Sequence, residues 1–152
     1  MKTLQNQADK HELLRRLATI RPGSARRWGR MSAPQMIAHL NDAFAMSMGL
    51  RRVPPVRVPY PRAVLRWTAL WVPVPWPQGF PAAPELNQEV GGTPPHEFAA
   101  DVQDLAVLIE RFTRRPRDFD WHPHPHFGAM SERDWMRLGY LHTDHHFRQF
   151  GA

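Results

Sequence analysis

Between Pro54 and Pro95 this 152-residue chain places 11 of its 16 prolines. Proline has no amide hydrogen to donate and a fixed φ, so no long helix or interior strand can run through that stretch. Regular structure must therefore lie on either side of it. The stretch is too apolar for a free linker. Val64, Leu65, Trp67, Leu70 and Trp71 let Arg62 to Val72 form a short helix, and the remainder reads as an ordered, aromatic-rich excursion.

Four other segments carry helical periodicity. The first runs from about Ala8 to Thr19, with Leu13, Leu14, Leu17 and Ile20 on one face and Pro22-Gly23 as its stop. The second opens with Ser32-Ala33-Pro34-Gln35, a capping box in which Gln35 reaches back to the cap amide. Pro34 is tolerated there because first-turn amides have no intrahelical partner. Met36, Ile37, Leu40, Phe44 and Met48 follow at helical spacing up to Gly49. The third starts at Thr93-Pro94-Pro95, and Phe98, Val102, Leu105, Ile109 and Phe112 form the clearest stripe in the chain before Pro116. The fourth begins at Ser131-Glu132-Arg133-Asp134 and continues to about Gln149, with Trp135, Leu138, Leu141 and Phe150 apolar. There is no repeat and no alternating strand pattern. The reading is all-α: a four-helix bundle with a long Pro/Trp-rich crossover between helices two and three, one domain over 1–152.

Composition narrows the chemistry. With no cysteine, thiolate metal sites, cysteine nucleophiles and redox dithiols are excluded. The start, Met1 to Gln7, lacks the apolar run of a signal peptide. Ala63 to Trp76, the most apolar stretch, carries Arg66 and is broken by prolines, so it does not span a bilayer. The expectation is a cytoplasmic protein without a membrane partner. A net charge of +6 invites a nucleic-acid reading, through Arg26, Arg27, Arg30, Arg51 and Arg52. Only Lys2 and Lys10 are lysines, however, and the 18 arginines are spread along the chain without a reading motif, so nucleic acid is not the expected partner.

Nine histidines make placement the deciding matter. In Leu141-His142-Thr143-Asp144-His145-His146, residues 142 and 146 stack on one helical face, where two imidazoles can share a metal ion. His145 could replace His146 as an i,i+3 partner; otherwise it stands beside the ligands. His39 lies at the edge of the second helix's buried stripe and is the natural third ligand. Asp42, three residues on, is placed to orient an imidazole. Three neutral imidazoles without a fourth protein ligand describe an open site for water or substrate. The competing readings are a hydrogen-bonded core histidine at 39 and a partly exposed pair at 142/146. In His122-Pro123-His124-Pro125-His126 the prolines splay the rings, so this strip reads as a stiff docking loop or as the donor of one acid/base imidazole.

These stretches carry a resemblance. Trp28-Gly29-Arg30-Met31-Ser32-Ala33-Pro34-Gln35-Met36-Ile37-Ala38-His39-Leu40 and Leu141-His142-Thr143-Asp144-His145-His146-Phe147-Arg148-Gln149-Phe150-Gly151 resemble the signatures of the DinB/YfiT-like superfamily. His124-Pro125-His126-Phe127-Gly128 narrows the likeness to its DUF1569 branch. The resemblance implies a four-helix bundle holding a divalent metal, usually zinc or nickel, on His39, His142 and His146. It also implies S-transferase, isomerase or hydrolase chemistry, in some relatives with a low-molecular-weight thiol, and frequent homodimers.

The leading expectation is thus a metal-dependent transferase or hydrolase acting on a small molecule. His126 and Arg148 are the candidates for moving a proton or binding an anionic group. The alternative is a non-catalytic bundle with a structural metal, binding through exposed Trp67, Trp71 and Trp76.

Overall fold

Asn6, Ser32, Glu97 and Ser131 each turn a side-chain oxygen onto the first free amides of a helix. Such caps are worth about 1 kcal/mol apiece and set where each helix begins. In the computed structural model, which describes residues 1–152, the helices are α1 (Gln7–Leu17), α2 (Ala33–Ser47), α3 (Arg62–Trp71), α4 (Phe98–Thr113) and α5 (Glu132–Gln149). A single 3-10 turn, Pro84–Leu86, interrupts the excursion between α3 and α4. There is no strand, only one isolated bridge between His124 and Gly128. The chain is all-α.

The expected capping box at Ser32 and Gln35 is present, and Asp134 makes a second one with Ser131. Two boundaries differ from the sequence reading. α1 begins and ends earlier, because Asn6 caps it and the chain leaves helical hydrogen bonding at Ala18. α4 begins at Phe98 rather than at Thr93-Pro94-Pro95. Residues before prolines avoid helical backbone. Thr93 is also held elsewhere, its amide and hydroxyl both donating to Asp42 at 2.8 and 2.6 Å.

α2 packs against both α4 and α5, α1 and α3 pack on α5, and the 3-10 turn lies against α2. Leu13, Met36, Ile37, Leu40, Leu105, Ile109, Phe112 and Phe147 are fully or almost fully buried between them. Residues ahead of α1 join this core: Leu4 is wholly buried and its amide donates to the Met136 carbonyl at 3.1 Å. Gly139 makes room for that approach, since a Cβ there would stand 2.7 Å from Leu4 Cδ1 and 3.2 Å from Phe112.

The excursion is held by arginines donating to backbone carbonyls. Arg51 bonds Glu85 O (2.8 Å) and Gly91 O (2.8 Å) and pairs with Asp42 (3.3 Å). Arg62 bonds Pro125 O and Val56 O at 2.6 and 2.8 Å. A planar guanidinium fork can satisfy several carbonyls of irregular backbone at once, which a lysine cannot. No helix is long and apolar enough to cross a membrane.

Candidate metal centre

α2 carries His39 inward because it shares the stripe of Met36 and Leu40, and α5 carries His142 and His146 one turn apart. The three rings meet between the two helices. Their Nε2 atoms are 3.1 Å apart for His39 and His142 and 3.1 Å apart for His142 and His146. The ligand atoms of all three residues lie within 4.8 Å of one another. Two nitrogens on one ion at about 2.0–2.1 Å would be separated by roughly 2.9–3.4 Å, so the His39–His142 and His142–His146 spacings suit a shared cation. Of the alternatives on α5, geometry selects His146. His145 stands beside the cluster, its ring edge-on to His146 at 5.3 Å and to Trp28 at 5.9 Å.

The hydrogen bonds behind the rings fix which nitrogen is free. His39 Nδ1 donates to the Leu86 carbonyl at 2.7 Å, leaving Nε2 bare. His146 Nδ1 donates to Gln149 Oε1 at 3.0 Å, again leaving Nε2 bare. The Gln149 amide cannot turn round, because its Nε2 donates to the Trp28 carbonyl at 2.8 Å. His142 can offer one proton to one of these neighbours. At least one 3.1 Å contact therefore opposes two lone pairs, an arrangement a cation relieves. Burial lowers the pKa of all three, and the mutual repulsion of their protonated forms pushes His142 and His146 well below the ordinary value. The Leu86 carbonyl and Asp42 oppose the shift at His39, and Gln149 opposes it at His146. The rings stay neutral at pH 7, as metal ligands must.

The cluster opens on a cavity of about 600 Å³, walled by Trp28, Phe44, Trp76, Phe80, Phe127 and Trp135 among others. Trp76 tilts over His142 and His145 with ring centres 6.1 and 6.0 Å away. The excursion thus forms a wall of this chamber.

Several sequence-selected residues sit otherwise than expected. Asp42 makes no hydrogen bond to His39. It accepts from Thr93 and Gln88 and pairs with Arg51, and so anchors the segment that delivers the Leu86 carbonyl. Arg148 is exposed, pairs with Asp144 at 3.0 Å and does not line the cavity. It lies two positions beyond His146, which places it on the opposite side of the helix. His126 does line the cavity, with its ring against Phe80 at 5.5 Å, and burial beside Arg62 lowers its pKa. Of the three tryptophans expected as a contact surface, only Trp67 is exposed. Trp71 donates to Asp134 at 3.1 Å and Trp76 to the Ala69 carbonyl at 2.7 Å. Arg51, expected on a basic face, is consumed by the excursion, and Arg30 pairs with Glu89 at 3.0 Å.

Sequence reasoning passed over Gln149 and the Leu86 carbonyl. Gln149 had a legible signal, being three residues beyond His146 on the same face. The carbonyl had none, since any residue supplies one.

A family model described as "Protein of unknown function (DUF1569)" matches residues 2–152, and the chain belongs to that family. No curated protein and no solved structure matches it.

Proposed function

We propose that this DUF1569 chain is a metal-dependent enzyme of DinB/YfiT-like type, a four-helix bundle that works on a small molecule within its aromatic cavity. One observation carries the reading: bare Nε2 atoms from α2 and α5 converge at the wall of a 600 Å³ chamber rather than in a closed core. His39, His142 and His146 would hold a divalent ion, zinc or nickel, with the Leu86 carbonyl and Gln149 fixing two of the rings. A divalent ion in such an open three-imidazole site lowers the pKa of a bound water or thiol, the chemistry of hydrolysis or of S-transfer. His126 is the acid/base candidate from the loop ahead of α5. Homodimerisation and a cytoplasmic location belong to the same reading.

Elemental analysis of untagged protein, followed by chelation, tests it. The expected result is one equivalent of zinc or nickel per chain, with turnover of thiol or ester substrates lost on chelation while most of the helical circular dichroism remains. Protein that takes up no divalent ion would refute the proposal. Collapse of the helix signal on chelation would instead favour a structural metal.

A further inference from the structure

His124 also lines the cavity, and its protonation pattern is the reverse of that of His39 and His146. Its Nδ1 accepts from the backbone amides of His126 and Phe127, both at 3.2 Å. An imidazole nitrogen that accepts carries a lone pair, so the single proton of the neutral ring sits on Nε2. The ring is clamped: it stacks on Phe127 with centres 4.4 Å apart and lies 5.8 Å from Trp135. Burial, with His126 and Arg62 nearby, pushes its pKa down to about 3, so it stays neutral. No protein group accepts the Nε2 proton, and the ring lines the cavity.

The rest of the lining limits what that donor can meet. The only carboxylate or guanidinium groups on the cavity are Glu89 and Arg30, paired with each other and 45% and 83% exposed, hence at its rim. An aromatic or aliphatic body fits the walls.

We infer that the cavity takes a largely apolar molecule carrying a carbonyl-type acceptor oxygen, and that the fixed His124 Nε2–H donates to that oxygen. His124 is then a specificity-determining residue. The inference rests on the cavity being the substrate site, and it does not depend on which ion the other three histidines hold.

Two probes of one shape test it by calorimetry on the 152-residue chain: methyl 2-naphthyl ketone and 2-ethylnaphthalene. The ketone should bind about ten-fold more tightly than the hydrocarbon, a typical return for one hydrogen bond to an otherwise unpartnered donor. In His124→Asp the carboxylate can still accept the two amides but carries no N–H, so the preference should vanish. In His142→Ala, assayed beside its metal content, the preference should persist. Equal binding of ketone and hydrocarbon to the native chain, or a preference surviving in His124→Asp, overturns the inference. A preference that disappears only in His142→Ala shows that the metal, not His124, holds the oxygen, and overturns it as well. Should His124→Asp not fold, nitrogen NMR of the native chain decides. The His124 Nε2–H resonance must move with the ketone and stay put with 2-ethylnaphthalene; an Nδ1–H tautomer or an unmoved signal refutes the assignment.

Discussion

Two groups of three histidines face different tasks in this molecule. His39, His142 and His146 ride on helices whose registers are locked by caps and packing, and their Nε2 atoms meet at 3.1 Å. His122, His124 and His126 ride on a loop stiffened by Pro123 and Pro125, and only the last two line the cavity. In the first group, Nδ1 of His39 and His146 gives its proton away from the centre, to the Leu86 carbonyl and to Gln149, so lone pairs face inward. At His124 the backbone supplies the protons instead, so Nδ1 accepts and Nε2 keeps its hydrogen. The same side chain is thus a ligand in one place and a donor in the other. The partner behind the ring decides which.

That contrast can be broken by removing a ligand. His142→Ala should lower metal affinity on the order of 10²–10³-fold, as a share of the binding energy spread over few ligands, measured by competition with a chelator. The same change at exposed His122 should leave metal content unaltered. Acid should separate His124 from His122 next. The folded pKa of His124 is about 3 against 6.5 for the free side chain, so below pH 6.5 the unfolded chain binds a proton that the folded chain refuses. Stability should fall by about 1.4 kcal/mol per pH unit from this residue as pH drops from 6.5 toward 3, and not change on its account above 6.5. Denaturant titrations across that range should lose this component of slope in His124→Asn and keep it in His122→Ala.

A finer cut is Gln149→Leu. It removes the acceptor that holds the His146 tautomer and the bond to the Trp28 carbonyl, while His146 itself remains. Metal affinity should drop about 10–100-fold with the helices intact. The smallest effect is expected at Arg148→Ala, where an exposed pair with Asp144 is removed; stability should change by about 0.5 kcal/mol or less and metal content not at all.

The helices and the ligand pairing were legible because both depend on local period. Met36, Leu40 and Phe44 fix the face on which His39 emerges, and four-residue spacing alone aligns His142 with His146. The path of the excursion was not legible. It is set by Arg51, Arg62 and Asp42 reaching across tens of residues to backbone carbonyls and to Thr93, contacts that no period announces. For that reason Asp42 looked like an imidazole partner and Leu86 like an ordinary core residue. Helical geometry already separated Arg148 from the site and placed Gln149 in it. The start of α4 was misread because Thr93-Pro94-Pro95 resembles a cap, whereas Glu97 is the residue that bonds Ala99 and Ala100.

X-ray absorption at the metal edge of the zinc- or nickel-loaded chain reaches the core of this account. Three imidazole nitrogens at about 2.0–2.1 Å around one ion, falling to two in His39→Ala, are the expected result. A first coordination sphere of oxygens alone, or a spectrum unmoved by His39→Ala, would contradict it.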